Sequence, residues 1–120
     1  MKKILVVDDS ETIRLQVSRA LEEAGFEVVE AGDGIEGLEK VTGDDFALVL
    51  LDVNMPRMGG LDMLDRLREA PETQALPVLV LTTEAQQSMI VRAKKSGASG
   101  WIIKPVKMEL LVNTVAKLAG

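Results

Sequence analysis

Short apolar runs alternate along this chain with stretches whose apolar positions recur every three or four residues. The runs at 4–7 (Ile4, Leu5, Val6, Val7) and 47–51 (Ala47, Leu48, Val49, Leu50, Leu51) are unbroken. That is the pattern of strands buried on both faces, as in a parallel sheet. Further strands are predicted at 27–30, at 78–81 running into Thr82, and at 101–103 running into Lys104-Pro105. Between them lie helical spacings. Ile13, Val17, Ala20, Leu21 and Ala24 share one face of a first helix, capped by Asp9 or Ser10 and ended by Gly25. Ile35, Leu38 and Val41 mark a second helix, and Asp44-Asp45 lies in the turn after it. Gly59-Gly60 precedes a third, with Leu61, Leu64 and Leu67 inward. After a loop bracketed by Pro71 and Pro77, a fourth helix is predicted over 86–96, closed by Gly97. Leu111, Val115 and Leu118 mark the fifth. Five β/α units of this kind predict an α/β, doubly wound sheet with helices on both faces.

The polar residues at the strand ends change the picture. The first run ends directly in Asp8-Asp9 and the third directly in Asp52. Ligands of such sheets bind beyond the carboxyl ends of the strands, where strand order reverses. Two unit charges about 4 Å apart repel by roughly 4 kcal/mol at an effective dielectric of about 20. A fold that gathers three acids there needs a counter-charge, and a hard divalent cation is the simplest one.

Composition narrows the chemistry. The 120 residues predict one domain, 1–120, with no repeat, linker or second domain. Cysteine and histidine are both absent, which excludes disulfides, thiol catalysis, zinc-thiolate sites and a histidine base. The net charge of −5 argues against direct nucleic-acid binding. Three aromatic residues, Phe26, Phe46 and Trp101, make no stacking platform for bases. Met1-Lys2-Lys3 is followed by only four apolar residues, too few for a signal peptide, and no run is long enough to span a membrane. A cytoplasmic protein with no membrane partner is expected.

On one sheet edge, then, fall Asp8, Asp9, Asp52, Thr82 and Lys104. Asp9 and Asp52 can ligate magnesium directly, with Asp8 acting through a bound water. Magnesium keeps several waters and needs only one or two protein carboxylates. The remaining oxygen of Asp52 can act as a nucleophile, with no base required. Lys104 offers a mobile positive charge and Thr82 a hydroxyl donor. Together they form a phosphoryl-transfer site, where catalysis is largely positioning and charge stabilisation.

The segments Val6-Val7-Asp8-Asp9-Ser10, Leu51-Asp52-Val53-Asn54-Met55-Pro56, Thr82-Thr83-Glu84-Ala85 and Lys104-Pro105 resemble the receiver domain of two-component response regulators, and most of all its single-domain chemotaxis type. The resemblance runs through the whole chain in order and spacing. It implies a flavodoxin-like, five-stranded parallel sheet of order 2-1-3-4-5. It also implies phosphorylation of Asp52 by a histidine kinase. Magnesium would be held by Asp9, Asp52 and the backbone carbonyl of Asn54, Thr82 and Lys104 would contact the phosphoryl group, and the Lys104-Pro105 bond would be cis. Output would go through the fourth helix, fifth strand and fifth helix, with Trp101 as switch aromatic and Met89, Ile90 and Lys94 as exposed partner contacts. The partner would be a downstream effector protein such as the flagellar motor switch, and the chain itself a monomer. Three positions depart from the family pattern. Thr83 stands where Ala or Gly is usual, Trp101 where Tyr or Phe is common, and Val53 where the best-known chemotaxis members carry Trp. The larger Thr83 side chain implies a narrower path to Asp52.

Two other readings compete with this one. Gly32-Asp33-Gly34-Ile35-Glu36-Gly37 fits the dinucleotide fingerprint G-x-G-x-x-G. It follows the second strand, however, and Glu30, Asp33 and Glu36 would crowd a pyrophosphate with negative charge, so a turn and helix cap are preferred. A magnesium-dependent phosphohydrolase with an aspartate nucleophile is the alternative function. Its usual second Asp two residues on is missing from Asp8-Asp9-Ser10-Glu11, and 120 residues leave no cap to form a substrate pocket.

Overall fold

The computed structural model describes residues 2–53, 55, 58–83 and 87–120. Strands and helices alternate through them: β1 (Lys3–Val7), α1 (Glu11–Glu23), β2 (Glu27–Ala31), α2 (Gly34–Thr42), β3 (Leu48–Asp52), α3 (Gly60–Glu69), β4 (Val78–Thr82), α4 (Gln87–Lys95), β5 (Gly100–Ile103) and α5 (Met108–Leu118). All pairings are parallel, in the order β2-β1-β3-β4-β5. The strand order implied by the resemblance is the one observed, and the Lys104–Pro105 peptide is cis.

The unbroken apolar runs serve two cores, because successive side chains on a strand point to opposite faces. Leu5, Val7, Val49, Leu51, Val78 and Val80 face α2, α3 and α4, where Val41, Leu64, Leu67 and Ala93 meet them. Ile4, Val6, Leu48, Leu50, Leu79 and Leu81 face α1 and α5, against Val17, Leu21, Leu111 and Val115. A fully buried Leu or Val contributes about 1.5–3 kcal/mol relative to exposure. The central strands β3 and β4 are buried at every position, whereas β5, on the edge, is half-buried or exposed throughout.

The structure settles the helix caps and faces. Ser10, not Asp9, caps α1, its hydroxyl accepting from the Ile13 N–H. Ala24 lies past the end of α1 and is exposed, while Ser18 is buried on that helix. Gly25 follows at φ +97°, a left-handed conformation that only glycine adopts readily. Met63, on α3, is wholly buried and packs against Gly37 of α2, where a Cβ would come within 2.8 Å of its Cε.

α4 buries only Ala93 completely. Met89 and Ile90, expected to be exposed, are half-buried, and Met89 packs onto the core shared with α2 and α3. Val91 is the large apolar residue this helix exposes, beside the basic Arg92, Lys94 and Lys95. The helix rolls its 89/93 stripe inward because those positions, four apart, lie one above the other on a single face.

Candidate functional site

Parallel register carries the strand-end residues to one edge. Val7 pairs with both Ala31 and Leu51, Asp52 with Leu81, and Thr82 with Ile103. Asp8 therefore leaves β1 beside the end of β3, and Lys104 leaves β5 beside the end of β4, its N–H donating to the Thr82 carbonyl at 2.7 Å. Asp8 and Asp52 are buried, 3% and 6% exposed, while Asp9 is open to solvent. One carboxylate oxygen from each of the three lies within 4.8 Å of the others. The Lys104 ammonium donates to Asp52 Oδ1 at 3.0 Å and to Asp8 Oδ2 at 3.3 Å.

Asp8 is held from every side. Its N–H donates to the Ala31 carbonyl at 3.1 Å. Its Oδ1 accepts from the Ser10 N–H at 2.9 Å, and its carbonyl oxygen accepts from Arg14 Nη1 at 2.7 Å. Burial pushes the Asp52 carboxyl above the ordinary carboxylate range. The Lys104 hydrogen bond opposes that shift, and the charges of Asp8 and Asp9 add to it. Burial pulls Lys104 down, but hydrogen bonds and charge attraction from Asp52 and Asp8 outweigh it, so its ammonium is held above the usual lysine value.

Thr82 ends β4 and is buried. Its hydroxyl donates to Met89 Sδ at 3.4 Å, which ties the site edge to α4. Asn54, Pro56, Glu84 and Ala85, which carried part of the family pattern, lie outside the described residues. Thr83 is exposed and Val53 buried. Trp101 is half-buried against the core that includes Ala93, and Lys94 Nζ stands 5.0 Å over its ring in a cation–π contact. Asp8, Asp9, Asp52 and Lys104 thus form one cluster, with Thr82 at the same edge, while Trp101, Ile90 and Lys94 belong to the β5/α4 side.

Three site contacts have no counterpart in the sequence reading, which places Met89 only on the partner surface. Arg14 and Met89 reach the site through contacts with no local signature. Gly60 does so by lacking a side chain, since a Cβ there would lie 2.1 Å from the Asp52 carbonyl oxygen. The glycine pair at the start of α3 is the available signal for that close approach.

The G-x-G-x-x-G segment is a helix start. The Asp33 carboxylate accepts from the Glu36 N–H at 2.9 Å, and Glu36 reaches back to accept from the Gly32 N–H. The arrangement resembles a capping box, with the returning bond made one residue earlier, to the residue before the cap. Gly34 and Gly37 are small because Met58, Met63 and Val7 press against them.

Residues 4–116 match the family model described as the response regulator receiver domain. The chain belongs to that family. This receiver domain is 39% identical over 117 residues to "Chemotaxis protein CheY-3" of Vibrio cholerae, covering 97% of this chain and 90% of the relative. It is 34% identical over 120 residues to "Chemotaxis protein CheY1" of Helicobacter pylori, covering 98% and 97%. The solved structure of chemotaxis protein CheY4 of Vibrio cholerae superposes with a TM-score of 0.94 at 40% identity, covering 98% of each chain. A CheY-like receiver domain protein of Methanospirillum hungatei gives 0.93 at 29% identity, covering 99% and 94%. Receiver domains of this type are signalling switches of two-component systems, and the comparisons do not favour the phosphohydrolase reading.

Receiver domains bind magnesium in an acidic pocket, and the donors present suit that ion. All three are hard carboxylate oxygens, close enough to share one cation, and the exposure of Asp9 leaves a solvent side for retained waters. Among the described residues no helix is long and apolar enough to cross a membrane.

Proposed function

We propose that this receiver domain, 1–120, is a phospho-accepting switch in which Asp52 takes a phosphoryl group from a histidine kinase. The observation that carries the reading is the buried Asp52 carboxylate, 3.0 Å from Lys104 and within reach of Asp8 and Asp9 at the carboxyl edge of the sheet. An Asp52 oxygen attacks the phosphorus of a phosphohistidine. The P–N bond breaks with its electron pair going to the ring nitrogen. The imidazole leaves neutral because its other nitrogen already carries a proton or water supplies one, and an acyl phosphate remains on Asp52. Asp9 and Asp52, with Asp8 through a water and the Asn54 carbonyl, would hold magnesium, which when bound offsets charge on the phosphoryl oxygens. Lys104 moves its ammonium from the carboxylate pair to a phosphoryl oxygen, and Thr82 donates its hydroxyl to another. Burial chiefly, with the charges of Asp8 and Asp9 adding to it, raises the Asp52 carboxyl above its ordinary range.

Output follows from the attachments of Thr82 and Lys104. Movement of Thr82 toward the phosphoryl group breaks its contact with Met89 and frees α4, and the Trp101 ring repacks beneath Lys94. The α4-β5-α5 surface, with Trp101, Ile90 and Lys94, then binds a downstream effector. The names of the relatives favour chemotaxis, and the flagellar motor switch is the effector of this proposal. The domain works as a cytoplasmic monomer without direct nucleic-acid or membrane contact, and its only chemistry is self-catalysed phosphoryl acceptance and loss.

The test is intact mass after incubation with acetyl phosphate and magnesium. Wild type should gain one phosphoryl group per chain and Asp52→Asn none. An equal gain in both proteins overturns the assignment of Asp52. Release of many phosphates per chain without a phosphoprotein would favour the phosphohydrolase instead.

A further inference from the structure

We propose that Arg14 is a positioning residue for the cation-binding acids, holding the Asp8–Asp9 peptide so that the exposed Asp9 carboxylate faces Asp8 and Asp52. The inference rests on reading those three acids as a magnesium site. Arg14 stands in the first turns of α1 and uses two faces of its guanidinium. Nη1 donates to the Asp8 carbonyl oxygen at 2.7 Å, and Nε donates to Glu30 Oε1 at 2.9 Å. The Arg14 side chain is only 20% exposed. It joins the end of β2, the start of α1 and the acidic turn after β1.

The consequence falls on Asp9. Asp8 is fixed through its N–H, both carboxylate oxygens and its carbonyl. Asp9 is exposed, so the direction of its side chain depends on the backbone that carries it. The carbonyl gripped by Arg14 belongs to the peptide that leads into Asp9. Holding that carbonyl sets the plane of the peptide and thereby the origin of the Asp9 side chain. Ligands fixed in advance lose less freedom when the ion binds, and outer groups that orient ligands commonly matter tenfold or more for metal affinity.

The same guanidinium has an opposite effect through its charge. A cation near a cation site repels the incoming ion. Here the charge is paired with Glu30, which offsets it at a distance, while the hydrogen bond to Asp8 acts directly. Positioning therefore outweighs repulsion. The two roles predict changes of opposite sign when Arg14 is removed, and that makes them separable.

The experiment is calorimetric titration of magnesium chloride into metal-free wild type, Arg14→Ala and Arg14→Lys, with thermal unfolding of each as the check on folding. Arg14→Ala should bind magnesium about three- to tenfold more weakly. Arg14→Lys keeps the charge but cannot bridge two acceptors with a fixed fork, and should lose about two- to fivefold. Tighter binding by Arg14→Ala with wild-type affinity in Arg14→Lys shows a charge role only and overturns the inference. A lowered melting temperature with unchanged magnesium affinity shows a structural role and overturns it too. If Arg14→Ala does not fold, Arg14→Lys decides alone, and unchanged affinity there overturns the inference. Wild type that binds no magnesium removes the metal reading and this inference with it, whereas wild type that binds beside unaffected variants removes this inference alone.

Discussion

The Thr82 hydroxyl donates to the Met89 thioether across 3.4 Å, so the last residue of β4 is tied to α4 before any phosphoryl group arrives. Thioether sulfur is a weak acceptor, and a weak tie suits a group that must move. Met89→Leu keeps a similar volume on the core and removes the acceptor. The variant should favour the arrangement with Thr82 turned toward Asp52. Beryllofluoride, a phosphoryl mimic, should bind it about twofold to fourfold more tightly in the presence of magnesium, equivalent to about 0.4–0.8 kcal/mol. Unchanged affinity would mean that the contact does not bias the switch.

Trp101 is the only tryptophan, half-buried at the β5 edge with Lys94 above its ring. Its emission therefore reports one place, on the β5/α4 side of the fold. Magnesium alone should change the spectrum little, and beryllofluoride added afterwards should shift it to shorter wavelength as the ring is buried more deeply. A full response to magnesium alone would couple the ring directly to the acids. Silence toward bound beryllofluoride would remove Trp101 as the switch aromatic.

Asp52 stands above the ordinary carboxylate range chiefly because it is buried, with Asp8 and Asp9 adding to the shift against the Lys104 hydrogen bond. A carboxyl whose folded pKa is raised favours folding most below its unfolded value, and that contribution is lost as pH rises through the folded pKa. Asp52→Asn cannot ionise, and its Lys104 neighbour keeps Asp8. In the presence of a chelator the variant should melt about 2–6 °C above wild type near neutral pH. The gap should close as pH falls through the carboxylate range. Thermal unfolding at several pH values checks this, and a wild type that gains stability over the variant as pH rises would reverse the sign.

Gly60 leaves no room for a methyl group. A Cβ there would sit 2.1 Å from the Asp52 carbonyl oxygen and 3.0 Å from Val53 Cα, both backbone atoms. At the neighbouring Gly59 the nearest backbone oxygen would be 3.3 Å away. Gly60→Ala should lower stability by about 2–4 kcal/mol in urea unfolding, and Gly59→Ala by about 1 kcal/mol or less. Equal losses at both positions would show that the loop after β3 yields freely.

The strand-end acids were legible in the chain because a buried parallel strand is written as an unbroken apolar run, and a charge that ends such a run must lie at the sheet edge. Ile4 to Val7 ending in Asp8, and Leu48 to Leu51 ending in Asp52, carried that information locally. The helix faces at Val17 and Leu21, at Leu64 and Leu67, and at Leu111 and Val115 were legible for the same kind of reason, since a 3.6-residue period needs no knowledge of the neighbouring element. The contacts that tune the site were not. Arg14 reaches Asp8 only because α1 starts beside the end of β2, and Met89 reaches Thr82 only because α4 turns its 89/93 stripe inward. The exposure expected for Met89 and Ile90 failed on that same rotation. The choice of Ser10 over Asp9 as helix cap was tertiary as well. Asp8, buried beneath Lys104, takes the Ser10 N–H, while the Ser10 hydroxyl takes the Ile13 N–H and Asp9 remains free to face the solvent side of the acidic cluster. Periodicity along the chain determines what each segment buries. Which side chains from distant segments then meet is decided by how those segments pack.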